Sequence, residues 1–170
     1  MDKIEELLKD PKTDLQKQAL TDKSYKKTPN NQDCKINFEL ATYGDAILKC
    51  VLSKIYFKRE DEDNFGFKGK LTEWKKQYES DEVLVRVVAK HYKLLKFLKY
   101  DKKGNGKPKE QKPRNYKHKG QNDKDRHKYI ATAMEACIAA VYIENGENEV
   151  IEIVKKWIRW IDKETNSSDT

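Results

Sequence analysis

Along the chain, apolar side chains recur every three to four residues and almost never alternate, a pattern that predicts an all-α protein. Short helices are expected at 2–9 and 13–20, separated where Asp10-Pro11 stops the first. Pro29, Asn30 and Asn31 mark 26–35 as a loop. A long apolar helix follows over 37–57, with Asn37 as its N-cap. The acidic stretch 58–66, ending in Gly66, reads as a connection to a helix at 69–79. Another helix opens at Ser80-Asp81, where Ser80 caps and Val83 and Val87 face inward, and 92–98 adds a short turn. Gly, Pro, Lys and Asn leave no core-forming pattern in 101–123, which reads as a flexible loop. A strongly apolar helix over 125–144 breaks at Asn145-Gly146. The last helix, 147–164, places Val150, Ile151, Val154, Trp157, Ile158 and Ile161 on one face. These elements make a helical bundle in one domain, 1–165, followed by a disordered tail at 166–170. The two apolar helices are natural partners in its core.

Composition adds a charged surface and one strongly basic segment. The chain of 170 residues is 36% hydrophobic and 38% charged, with a net charge of +7. Residues 101–128 hold eleven Lys and Arg against four acids, so this segment carries the whole excess. Taken alone, such a run reads first as a solvated loop; its second reading is a surface for polyphosphate. No segment approaches the eighteen apolar residues of a membrane span, and the opening Met-Asp-Lys-Ile-Glu-Glu has no apolar stretch of signal length. Cys34, Cys50 and Cys137 cannot all pair with one another, and they show no metal-ligand spacing. Cys50 and Cys137 lie in apolar runs and read as buried thiols of a reducing compartment, so the expected location is the cytoplasm, away from any membrane.

Each apolar helix carries a lone acid. In the first it is Asp45, within Ala41-Thr42-Tyr43-Gly44-Asp45-Ala46-Ile47-Leu48; in the second it is Glu135, within Ala131-Thr132-Ala133-Met134-Glu135-Ala136-Cys137. A carboxylate on a mostly apolar helix is costly to bury unless it is paired or bound to a cation. On spacing alone the plainer reading comes first: two surface acids bordering the core, each held by a Lys or a helix N-terminus. The other reading is an oxygen site for a hard divalent ion such as Mg²⁺.

A family resemblance favours the second. Ala19-Leu20-Thr21-Asp22-Lys23-Ser24-Tyr25 resembles the Ala-Leu-Thr-His-Arg/Lys-Ser-Tyr opening of ribonuclease III catalytic domains. Asn37-Phe38-Glu39-Leu40-Ala41-Thr42-Tyr43-Gly44-Asp45-Ala46-Ile47-Leu48 resembles their signature helix. Gly69-Lys70-Leu71-Thr72 and the helix 82–90 are similar to the middle of the domain, and Glu135-Ala136-Cys137-Ile138-Ala139-Ala140-Val141-Tyr142-Ile143 to the helix carrying the second half of the site. Four blocks run in the family's order over nearly the whole chain.

The resemblance has departures. The larger enzymes use four acids; here Ala41 and Thr132 stand at two of those positions, leaving Asp45 and Glu135, and Lys70 replaces a middle-segment Glu. One reading is an inactive copy of the kind found among ribosome-associated relatives, although such a copy should lose its acids haphazardly. Mini-ribonuclease III, by contrast, lacks the same acids and is active, and Ala41, Gly44-Asp45-Ala46 and Thr132 to Ala136 match its two motifs.

The resemblance implies a Mg²⁺-dependent endoribonuclease, with Mn²⁺ able to serve, acting on double-stranded or structured RNA, ribosomal RNA precursors among the expected substrates. The alternative is an inactive ribonuclease III fold that binds RNA or ribosome components. Asp45 and Glu135 would be both the catalytic residues and the metal ligands, with Thr132 ordering a metal-bound water. Glu39 is a poor substitute acid, because six residues from Asp45 it lies about 120° around the helix. The resemblance also implies a homodimer with the signature helices at its two-fold axis, for which Phe38, Tyr43, Ile47 and Val51 offer apolar surface or, equally, intramolecular core. With no separate RNA-binding domain in view, Lys102, Lys103, Lys107, Lys109, Lys112, Arg114, Lys117 and Lys119 are the expected phosphate contacts, reading shape more than sequence. Neutralising Lys107, Lys109, Lys112 and Arg114 together should weaken RNA binding and flatten the slope of log K against log salt. An unchanged slope would show the loop to be only a tether.

Overall fold

The computed structural model describes residues 1–27, 29–59, 69–101 and 122–167. The eight cations expected to meet RNA, Lys102 to Lys119, lie outside the described residues, as does most of the acidic connection. Among the described residues the chain is helical, with one isolated parallel bridge between Thr21 and Lys99. None of its helices is long and apolar enough to cross a membrane.

The order is α1 (Lys3–Lys9), α2 (Asp14–Ala19), two 3-10 turns (Lys23–Lys27 and Pro29–Asn31), α3 (Phe38–Arg59), α4 (Lys70–Glu79), α5 (Asp81–Val83), a π-helical stretch (Leu84–Ala89), α6 (Lys90–Tyr92), a 3-10 turn (Leu94–Lys96), α7 (Asn122–Asn145) and α8 (Glu147–Ser167). The caps follow from side chains: Asp2 accepts from the Glu5 amide at 2.9 Å and Thr13 from that of Gln16 at 3.1 Å. Asn37 is buried, and its amide reaches back to donate to the Ala19 carbonyl at 3.4 Å, tying α2 to the start of α3. Gly146, at φ 85°, ends α7 as a left-handed cap whose amide donates to the Tyr142 carbonyl at 2.9 Å.

α7 is the axis of the bundle. Nearly every described side chain from Ile130 to Val141 is buried, Thr132 and Glu135 being the half-buried exceptions, because α1, α2, α3, α5, α8 and the π-helical stretch all pack on it. α3 makes the most extensive of these contacts. α8 contributes a single apolar face, buried at Val150, Ile153, Val154, Trp157, Ile158 and Ile161.

The structure corrects four expectations. α8 runs on to Ser167, so its last turn occupies part of the expected tail, and α7 starts at Asn122. Ile151 is only half-buried and Ile153 takes its place in the core, since the face follows the steps 150, 153, 154, 157, 158 and 161. Cys50 is exposed, while Cys137 is buried. Of the four residues read equally as partner surface or core, Ile47 and Val51 belong to the chain's own core, whereas Phe38 and Tyr43 are exposed.

At the end of the bundle holding the chain start, Lys156 of α8 donates to Asp2 Oδ2 at 2.7 Å and to Glu5 Oε1 at 2.9 Å. Tyr92 donates to the same Asp2 oxygen at 2.9 Å and accepts from Trp157 Nε1 at 3.0 Å. Burial alone would raise the Asp2 carboxyl, but the hydrogen bond from Lys156 and those from the Glu5 amide and Tyr92 hold it below its ordinary 3.8. A depressed carboxyl stabilises the fold fully above its unfolded value and loses that contribution as pH falls through the folded one. Lys156→Met should therefore cost about 2 kcal/mol near neutrality, and urea unfolding should show the difference from wild type shrinking as pH drops below 3.8.

Candidate active site

The site begins with a glycine. Where α3 crosses α7, a Cβ on Gly44 would fall inside the van der Waals envelope of the Glu135 carbonyl and within 3.3 Å of the Ala139 amide nitrogen. Backbone meets backbone at this point, and the small residues Ala136, Ala139 and Ala140 on α7 keep the approach open. Asp45 follows Gly44 directly, and Glu135 is the residue whose carbonyl Gly44 touches. The crossing thus brings the two acids expected from the sequence to one place.

Their surroundings differ. Asp45 is about one-third exposed and accepts from Lys49 Nζ at 2.7 Å, one turn along α3. Glu135 is half-buried on α7, and burial, followed by the charges of Asp45 and Asp81, pushes its carboxyl up to about 7 against the smaller opposing pull of Lys49. The plainer sequence reading, an acid held by a lysine, is therefore true of Asp45; Glu135 has no such direct partner among the described residues and carries the larger electrostatic penalty.

Two further acids surround the pair, and the sequence pattern alone did not single them out. Asp81 opens α5 behind the Ser80 cap, whose hydroxyl accepts from the Val83 amide at 3.4 Å, and it acts on Glu135. Glu79 ends α4, lies within electrostatic reach of Lys49, and has its Oε2 buried without a hydrogen-bond partner among the described residues. Both sit at the α4–α5 corner, where a sequence reading sees only the end of one helix and the cap of the next.

The supporting positions behave differently. The Thr132 hydroxyl donates to the Lys128 carbonyl at 2.7 Å, a bond within its own helix that commits its proton. Ala41 is buried against the core. Glu39 is exposed, and the helical geometry that sets it away from Asp45 holds.

As donors, Asp45, Glu135 and the corner acids are all hard oxygens, the chemistry suited to Mg²⁺ or Mn²⁺. The raised Glu135 carboxyl and the Glu79 oxygen without a partner among the described residues leave these acids short of positive charge, a lack that such an ion fits. Among the described residues no three His, Cys, Asp or Glu side chains converge closely enough to hold a metal by themselves. An ion here would draw much of its coordination from water, as Mg²⁺ readily does.

The family model for Ribonuclease-III-like domains matches residues 12–160. The chain therefore belongs to the Ribonuclease-III-like family, a nuclease family that acts on double-stranded RNA with divalent metal ions. No curated protein and no solved structure matches it significantly.

Because the crossing leaves no room for a methyl group, and the colliding atoms are backbone, Gly44→Ala should lower stability by about 3 kcal/mol, at the upper end of the overpacking range. Urea denaturation checks this; a loss below about 0.5 kcal/mol would show that the helices do not meet here.

Proposed function

We propose that this protein is a Mg²⁺-dependent endoribonuclease of the double-stranded-RNA-cleaving kind, in which Mn²⁺ also serves, and that Asp45 and Glu135 are its catalytic and metal-binding pair. The observation that supports the reading is the Gly44 crossing: it brings the residue before Asp45 against the backbone of Glu135, whose carboxyl burial and then the Asp45 charge push up to about 7. When bound, the ion would supply an activated water near neutral pH and offset charge building on the scissile phosphate. Asp45 and Glu135 would hold it, and Asp81 and Glu79 would add negative potential without displacing its waters. The apolar wall of α7 around Glu135 limits bulk water, which strengthens each of these interactions. The match at the Ala41 and Thr132 positions favours a Mini-ribonuclease III type of site, and rRNA maturation is the corresponding role.

The exposed face of α3 supports a homodimer. Tyr43, Ala46, Cys50, Ser53 and Phe57 recur at three- and four-residue steps, small side chains between two aromatic ones, and Tyr43 and Phe57 are 47% and 51% exposed. A second copy of this helix would cover that face and set two sites against one duplex. In this reading the contact surface would be Tyr43, Ala46, Cys50 and Phe57, while Ile47 and Val51 take the core side of the two alternatives open to them.

Among the described residues a basic surface is available to the RNA backbone. Lys23, Lys26 and Lys27 lie in a turn bonded to the 99–101 segment, where the Asp22 amide donates to the Lys99 carbonyl at 2.9 Å and the Asp101 amide to Ser24 Oγ at 3.1 Å. With Lys96 and Lys99 they form an exposed patch near the N-terminal ends of α3 and α7. It adjoins the basic segment 102–119, whose cations remain part of the proposal as phosphate contacts. The second reading, an inactive RNA-binding fold, is favoured by Lys49 already filling the place of a cation beside Asp45.

A long RNA duplex incubated with the protein and Mg²⁺ separates the two. Cleavage is expected, falling at least 100-fold in Asp45→Asn and in Glu135→Gln, on the scale of losing a principal charge-stabilising group. Tight binding without cleavage at any Mg²⁺ or Mn²⁺ concentration establishes the inactive fold instead.

A further inference from the structure

Lys49 belongs to none of the roles assigned so far. It stands one turn after Asp45 on the same helix, its ammonium donates to Asp45 at 2.7 Å, and about half of its side chain (47%) is exposed. Glu135 of α7 and Glu79 of α4 are also within its electrostatic reach. One ammonium thus bonds a single carboxylate and lies in the field of two others from two further elements, and one of these, Glu79, keeps a buried oxygen without a hydrogen-bond partner among the described residues. A single positive charge leaves this cluster short of neutral, whereas a divalent ion would match it better.

The ammonium and a divalent ion cannot both occupy the Asp45 carboxylate at close range, because like charges a few ångströms apart repel strongly. We infer that Lys49 is a resident counter-ion: it holds Asp45 in the metal-free protein and must leave when a divalent ion binds, so the chain sets its own metal affinity through an internal competitor. This rests on the reading of Asp45 and Glu135 as the cation-binding pair. The flexible four-carbon stem of lysine permits the exchange without movement of α3. Once released, the ammonium lies on the open edge of the site, one turn from Asp45, where it meets an arriving phosphate as a charge-assisted donor. Lys49 is a positioning residue in the free protein and an electrostatic partner of the substrate only after metal has displaced it.

The test is a titration of Mn²⁺ alone into the full chain, with bound metal read from the loss of its free paramagnetic resonance signal. Wild type, K49M, K49R and D45N are compared, and circular dichroism checks that each is folded; K49Q replaces K49M should the latter misfold. K49M is expected to bind Mn²⁺ roughly tenfold more tightly than wild type, since one competing charge beside the ion has been removed. K49R, which keeps the charge, should stay near wild type, and D45N should bind more weakly than either. Equal or weaker binding by K49M, while wild type binds, overturns the competitor role and leaves the metal site standing. Failure of every variant to bind Mn²⁺ at millimolar concentration overturns the inference together with the metal-site reading beneath it.

Discussion

The whole arrangement depends on how closely α3 can approach α7. At Gly44 the two helices meet backbone to backbone, and any side chain there would run into the carbonyl of Glu135. Close approach lets the rest of α3, from Leu40 through Ile55, seat its apolar face on a helix whose inward positions are largely alanine. It also determines the chemistry. The residue after the glycine and the residue whose carbonyl it touches are both acids, so the contact that closes the core also brings these acids within each other's electrostatic reach. Neither helix can shift by a turn without separating the pair.

That assembly has an electrostatic cost. A carboxylate moved out of water beside another carboxylate loses hydration and gains repulsion, and its charged form becomes the less favourable one. Lys49 answers this at Asp45, but its influence on Glu135 is the smaller of the terms acting there. Since the net stability of a domain this size is only about 5–15 kcal/mol, an unmet charge of this kind has to be offset elsewhere. A second cluster contributes to this. The buried Trp157, its hydrogen bond to Tyr92, and the Lys156 bridge to Asp2 and Glu5 fasten α8 to α1.

Much of this was legible in the sequence, for identifiable reasons. Period-3.6 patterning located the main helices because each buries a face, and Asn145-Gly146 announced the α7–α8 break because only a left-handed cap fits there. Asp45 and Glu135 stood out because each interrupts an apolar helix. Glu79, Asp81 and Lys49 did not, since all three occupy positions where a charged residue is ordinary: a helix end, a helix start and an exposed helical step. Asp81 and Glu79 come near the pair because the α4–α5 corner packs against α7 and α3, which no local pattern encodes, whereas the Lys49–Asp45 pair is an i,i+4 step within α3. The π-helical stretch Leu84–Ala89 was hidden for a similar reason. Its apolar spacing satisfies an ordinary helix equally well, and only packing against α7 decides between the two. Cys50 was misplaced because an apolar neighbourhood in sequence does not say which side of α3 faces the core.

The departures at Ala41 and Thr132 can be weighed by the same electrostatics. Each replaces an acid of the larger enzymes with a neutral side chain, Ala41 buried in the core and Thr132 bonded within its own helix. Fewer acids mean less repulsion around Glu135, so their loss by itself relieves the fold. The reverse holds for Glu135. A glutamine there would keep the shape and remove the charge penalty, so a domain that only bound RNA would be more stable without the acid. A half-buried carboxylate beside Asp45 is a standing cost in every folded molecule, and such costs characterise sites where function outweighs stability. A cation bound between Asp45 and Glu135 would turn that cost into binding energy, which is the physical reason for preferring an active nuclease to a silent copy of one.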